Sequence, residues 1–410
     1  MMTLRLALRN LSRNRKRSIL TGVALALGVA ILVFALGVNQ GIEQQGLDSV
    51  IRFQTAHVKA IPPGRMDEDF PGLDMRIDNA SSLLEEVRNM DGVEGAAERL
   101  EIRGMLYMGT EEVFVTVVGI NPEEDRQVYS TLDYVVQGRE LRPGEQGVLI
   151  GRPLAKSLDV DVGDRVTIMI RSAPGALNPR TLPVVGLHST GHFESDMSSV
   201  FLPLQTALDM AILDDAATEV SLRLDQPDRS RDVKEMLSKR HPGVEWHTYL
   251  DLASDFVMMI KFQRIVYLII IGILMVMAAV GVANTMLMAV HERTREIGAL
   301  RALGFQTGTV RAMFLNEGIL LGVFAGLAGL AIGIPLTLYF SHHGISLGEA
   351  TELANMKGVP VRDAIYPAVK AGTIGWIYLF GLAVSALASW GASARASKGE
   401  IVRALREGMI

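Results

Sequence analysis

The chain is 410 residues long, 49% hydrophobic and 21% charged, with a net charge of −5. It contains no cysteine, which excludes a disulfide framework, a thiolate zinc site and a cysteine nucleophile. So much apolar residue beside an ordinary charge content suggests apolar segments collected in runs, with the charges collected between them.

The first segment, residues 1–18, carries Arg5, Arg9, Arg13, Arg15, Lys16 and Arg17 and no acid, while Leu4, Leu8 and Leu11 share one helical face. This pattern predicts an interfacial amphipathic helix on an anionic leaflet. A basic tail could also bind nucleic acid, but the apolar run behind it argues against that partner. Residues 19–38 are uncharged and long enough for a first transmembrane helix. The run exceeds the apolar core of a signal peptide, about 7–15 residues, so a retained anchor is expected.

Residues 39–264 hold 37 Asp and Glu against 23 Lys and Arg, a charge of −14. The short segments on the other side of the spans are basic, so the positive-inside rule places both termini in the cytoplasm and the acidic domain outside the membrane, in the periplasm. Within this domain two β–α–β patterns stand out, with strands at 54–61, 93–102, 218–224 and 244–249 and helices at 80–90 and 228–240. Asp78 or Asn79 is the expected N-cap of the first helix. Together they predict a split-βαβ subdomain interrupted by a strand-rich insertion at about 103–200, with strands at 113–120, 147–150, 165–170, 181–187 and 199–202.

No catalytic group is expected here. Lys156 and Ser157 follow Ala155 where a phosphate loop needs glycine. His188 and His192 are four apart but lie beside Gly191 in an expected loop, where that spacing does not build a metal site. The acids read as a solvated surface.

Residues 251–264 are expected to lead as one helix into the second span, residues 265–290. Those 26 uncharged residues make about 39 Å of helix at about 1.5 Å per residue, against a bilayer core of about 30 Å. Residues 291–312 then break the apolar pattern with Glu292, Arg293, Arg295, Glu296 and Arg301, while Ile297, Leu300, Leu303 and Gly304 are expected to line one face of a short helix ended by Gly304. A third span follows at 313–340. Its Gly318, Gly322, Gly326, Gly329 and Gly333 form a small-residue face, Pro335 is expected to kink it, and Glu317 near its start calls for an ion pair, against the preceding segment or in the interface. An outside loop at 341–371, a fourth span at 372–391 and a basic tail at 392–410 complete the chain.

The thirteen-residue run Glu292-Arg-Thr-Arg-Glu-Ile-Gly-Ala-Leu-Arg-Ala-Leu-Gly304, preceded by Asn284 and Thr285, resembles the coupling-helix signature of MacB/FtsX-type ABC transporter permeases. The phrase at 147–164 and the tail at 394–406 are similar to the same superfamily, although the tail lacks the family's proline. The phrase at 186–196 and the long last loop resemble the lipoprotein-releasing Lol permeases. The resemblance implies an α-helical membrane protein of four transmembrane helices with a mixed α/β periplasmic domain, in the bacterial inner membrane. It implies a non-catalytic subunit that works with a second identical or similar permease and borrows hydrolysis from ABC ATPase subunits. ATP and Mg would belong to those ATPases, and this chain would bind no cofactor. Glu292, Arg293, Arg295, Glu296, Ile297, Leu300, Arg301, Leu303 and Gly304 are then the expected ATPase contacts. Phe34, Val38, Ile42, Phe256, Met259, Ile260 and Tyr267 are the expected surface for lipid and for a lipoprotein cargo. Two other activities fit the same machine: MacB-type efflux of drugs or peptides, and FtsX-like signalling to a cell-wall hydrolase.

Overall fold

A computed structural model describes residues 9, 15–68, 71–346 and 364–396. The expected interfacial helix at 1–18, most of the last loop and the end of the basic tail thus fall largely outside the described residues. The chain divides into two compact units, one built from residues 44–259 and 346–364, the other from the remaining segments.

The second of these holds the membrane helices: α1 (Arg15–Val50), α2 (Ser254–Glu292), the short α3 (Thr294–Ala302), α4 (Thr307–His343) and α5 (Ala371–Ala396). Four of them, all but α3, are long and apolar enough to cross a membrane. The glycines of α4 make two close approaches. An added Cβ at Gly318 or Gly322 would meet Ser389 or Ser385 of α5, and one at Gly329 or Gly333 would meet the Ala26 or Ala30 backbone of α1. Small residues let these helices pack backbone to backbone, where lipid offers no hydrophobic drive for association. Ser385 Oγ adds a hydrogen bond to the Gly318 carbonyl, 2.8 Å.

In the other unit, ten strands form one sheet: β1 (Val58–Ile61), β2 (Val93–Met108), β3 (Glu111–Ile120), β4 (Val135–Gly138), β5 (Val148–Gly151), β6 (Arg165–Arg171), β7 (Leu177–His188), β8 (Ser199–Pro203), β9 (Glu219–Leu224) and β10 (Glu245–Thr248). The order β10-β1-β9-β2, every neighbour antiparallel, with helices Ala80–Arg88 and Ser230–Arg240 as the crossovers, is the split-βαβ arrangement expected from the two repeats. Val87, Leu84, Val233, Leu237 and Trp246 fill the space between helices and sheet.

The insertion does not form a separate sheet. Strand β2 runs on past Ile102 to Met108 and pairs there with β3 and β6, and the ring closes through β8, β5 and β7. Alternation drives the closure. In β6, Val166, Ile168 and Ile170 point inward while Arg165 and Arg171 stay exposed, and Leu106, Ile150, Leu182 and Leu202 meet them in the interior. Gly151, at the end of β5, lies so close to the chain at Asp196 that an added Cβ would sit 1.8 Å from its carbonyl oxygen. Gly151→Ala is therefore expected to destabilise this unit by about 1–3 kcal/mol, measured by thermal unfolding of the full-length protein. An unchanged transition would show that the end of β5 is not in contact with the short helix Phe193–Ser198 that holds Asp196.

Three local expectations are corrected. Residues 51–55 form a π-helical turn at the end of α1, so the first strand starts at Val58 and not at 54; Ala56 makes the transition at φ +52°. Asn79 stands at the helix start but in a left-handed conformation without a capping bond, and Asp215 serves instead, accepting from Ser81 N at 3.1 Å and Ser81 Oγ at 2.6 Å. The lead into α2 is broken at Ala253, because Thr248 and Asp251 form a capping box that starts a separate turn, Tyr249–Leu252.

The acids are also less uniformly solvated than their scatter suggests. Where β2 passes from one half of the sheet to the other, Arg99 pairs with Asp125 at 2.7 Å, both buried, and its guanidinium lies 3.3 Å over the Tyr129 ring. Tyr129 Oη donates to Ser221 Oγ, and Glu219 accepts from Lys59 Nζ at 2.5 Å. A buried charge left without a partner would be far costlier than these pairs, so each member needs its neighbour.

Candidate functional site

The segment between α2 and α4 has an inner and an outer side. Ile297 and Gly298 are buried, Ile297 in a cluster with Val290, Val310 and Phe314. Arg293 is buried too. Its Nη1 lies 3.3 Å from Glu317 Oε2, with both side chains about 5% exposed or less, so Glu317 has the ion pair expected of it against this segment. Glu292, Arg295, Glu296 and Leu303 are exposed and Arg301 is half-buried. Gly304 takes φ +90° directly after the helix, the position where only glycine is free of strain.

Leu303 departs from the expected apolar face: it is 78% exposed. At 3.6 residues per turn, six residues from Ile297 turn the chain through about 240°, away from the face of Ile297. Arg293 and Ile297 turn inward and hold the segment in place. They are positioning residues, and the exposed group is what a partner could touch. The Leu300 side chain lies outside the described residues.

A second feature is a cavity of about 600 Å³ among α1, α2 and α5. Leu32, Leu36, Ile271, Ile377 and Phe380 make its apolar wall. Its polar rim is Asn39, Gln40, Glu43, Arg264 and Lys370. Arg264 Nη2 reaches Glu43 at 3.4 Å, Asn39 Nδ2 donates to the same carboxylate at 3.0 Å, and Gln40 Nε2 donates to Thr373 Oγ1 at 2.5 Å. Gln40 Oε1 is buried with no hydrogen-bond partner among the described residues.

Of the residues expected to face substrate, only Tyr267 lines this cavity. Phe34 instead packs edge-on against Phe340, with centroids 5.7 Å apart, and Phe256 packs against Gly46. Val38, Ile42, Met259 and Ile260 are half-buried elsewhere. The offset is helical: the cavity takes positions 32, 36, 39, 40 and 43 of α1, and a shift of two residues rotates a side chain by about 200°. The signal that could have found the cavity-lining face was Asn39, Gln40 and Glu43 together at the end of an otherwise apolar run.

His188 is buried beside Asp196, with Nδ1 3.3 Å from Oδ1, and His192 packs edge-on against Phe53. Among the described residues no three metal-binding side chains converge.

Residues 18–240 match the MacB-like periplasmic core domain, and residues 268–401 match the FtsX-like permease C-terminal family. The chain belongs to the MacB/FtsX-type ABC transporter permeases. Among curated relatives, this permease is 27% identical to the lipoprotein-releasing system transmembrane protein LolC of Neisseria meningitidis serogroup B, over 97% of each chain. It is 25% identical to LolE of Haemophilus influenzae, over 78% of this chain and 76% of the relative. The macrolide export ATP-binding/permease protein MacB 2 of Aeromonas hydrophila is also 25% identical, over 82% of this permease and 53% of that longer protein. As a member of this family the protein is a membrane permease, and the four long apolar helices with a mixed α/β domain agree with that family.

Proposed function

We propose that this permease extracts an amphiphile, a lipoprotein, from the outer leaflet of the inner membrane, driven by a separate ABC ATPase that docks on Glu292, Arg295, Glu296, Arg301 and Leu303. The observation that carries the reading is the cavity in the helix unit, which is apolar along one wall and charged at its rim. Acyl chains would lie along Leu32, Leu36, Ile271 and Phe380. The first polar residues of the cargo would meet Arg264, Glu43 and the open acceptor of Gln40. The two LolC and LolE relatives, lipoprotein-releasing proteins by name, support this cargo.

Charge supports the orientation, with the basic termini and α3 in the cytoplasm and the domain of −14 in the periplasm. A second permease copy completes the unit. The outward face of α2, with Leu268, Ile269, Ile273 and Val276 exposed, is suited to lipid and to that copy.

Gly272 provides the test, because an added Cβ there meets no atom within 4 Å while the residue lines the cavity. Gly272→Phe fills the cavity from the inside. The variant is expected to fold normally and to retain less than about a tenth of the acylated protein that co-purifies with the wild type, measured by mass spectrometry of the gently solubilised complex. A tenfold loss corresponds to about 1.4 kcal/mol of binding. Full retention of cargo by the folded variant would remove the cavity from the mechanism.

A further inference from the structure

Of the four long helices, α2 is the one its own chain covers least: 6% of its most apolar stretch is buried, against 28% in α1, 33% in α4 and 17% in α5. One side of it, with Val282, Met286, Ala289 and Val290, is buried against the rest of the unit. The opposite side presents Ile273, Met277, Val280, Gly281, Asn284 and Met288, all exposed. Spacings of three, four and seven keep these six on a single helical stripe.

Five of the six suit a lipid surface. Asn284 does not. It stands six residues, about 9 Å, before the end of the uncharged run 265–290, and that run of about 39 Å overshoots a core of about 30 Å by only about 4–5 Å at either end. The amide therefore lies within the hydrocarbon. It offers two donors and a carbonyl acceptor, and it makes no hydrogen bond among the described residues. A polar group left so in lipid is costly, and a facing helix that pairs with it removes the cost.

Gly281, one turn before Asn284, leaves room for such a helix. An added Cβ there meets no atom within 4 Å, so nothing in its own chain requires the glycine, while a helix from outside could approach it to backbone contact. The chemistry of the contact selects a second copy. Chains related by a two-fold axis meet through the same residues from both sides, and an asparagine amide is complementary to itself, each NH2 donating to the carbonyl opposite. One such asparagine in an apolar seam also fixes the register of the two helices.

We infer that Asn284 and Gly281 hold α2 against the α2 of a second copy of this permease, with the two Asn284 amides hydrogen-bonded reciprocally across a two-fold axis. The inference rests on the second copy proposed above and names the residues through which it is held.

The chain has no cysteine, so a single introduced one reports on a single position. In the full-length permease in membranes, Asn284→Cys is expected to give a disulfide-linked dimer on mild oxidation, because residues facing each other on the axis come within the about 7 Å between Cα atoms that a disulfide spans. Phe324→Cys, on an exposed position of α4, is the control and should stay monomeric on the same gel. Association of two dye-labelled populations is then followed by energy transfer as lipid is added. Asn284→Leu should weaken it by about threefold or more and Asn284→Gln by less, while Gly281→Leu, which meets nothing in its own chain, should weaken it by about tenfold. A permease that is dimeric by mass but in which Asn284→Cys cross-links no better than Phe324→Cys overturns the inference and leaves the second copy standing. Unchanged association of Asn284→Leu or Gly281→Leu overturns it in the same way, and a monomeric wild type overturns both.

Discussion

Arg293→Ala is expected to destabilise the membrane unit by about 3–5 kcal/mol, because it breaks a buried ion pair by removing the cation 3.3 Å from the Glu317 carboxylate. The contact itself is a modest one. A single bond of 3.3 Å joins the two groups, and Arg293 Nε and Nη2 are buried without hydrogen-bond partners among the described residues. Much of the desolvation cost is therefore not recovered by the pair, and the cost of breaking it exceeds its net contribution to stability. Replacing both members by apolar residues, Arg293→Met with Glu317→Leu, should accordingly restore most of what either single variant loses. Unfolding of the purified protein in mixed micelles measures all three variants. A single variant as stable as the wild type would mean that the two charges do not meet.

Leu303→Glu is expected to leave stability within about 0.5 kcal/mol, since the side chain is 78% exposed. The same change should abolish assembly with the ATPase, lowering its affinity more than tenfold. An exposed apolar side chain at the end of a short charged helix is the kind of group a partner desolvates at the centre of its contact. Charge reversals at Glu292 or Arg301 should act in the same direction but more weakly, through orientation and encounter. Ile297→Glu is the contrasting control. It places a charge in the cluster of Val290, Val310 and Phe314 and should disrupt the segment itself. Co-purification and substrate-stimulated ATP hydrolysis distinguish these outcomes. A Leu303→Glu complex that assembles and hydrolyses normally would end the assignment of this surface to the motor.

The expectations that held rest on short-range pattern. Long uncharged runs marked the four long helices, and a glycine after Leu303 marked the end of α3. Strand alternation and two β–α–β repeats marked the split-βαβ sheet order. Where the expectations failed, other residues had intervened. Asp215 capped a helix in place of Asn79, and the capping box of Thr248 and Asp251 broke the lead into α2. The helical face of Phe34, Val38 and Ile42 is half-buried, and Phe34 on it packs against Phe340. Hydrophobic periodicity cannot separate a face that packs on a helix from one that lines a cavity, because both are apolar.

What the amino-acid order determined by itself was the set of elements and the sign of the charge on each segment. Residues three, four or two apart already decide whether a stretch is a helix, a strand or a span. The tertiary structure decided which charged residues became interior partners. Arg293 and Glu317 are 24 positions apart and Lys59 and Glu219 are 160 apart, and each costs too much to bury until the other arrives.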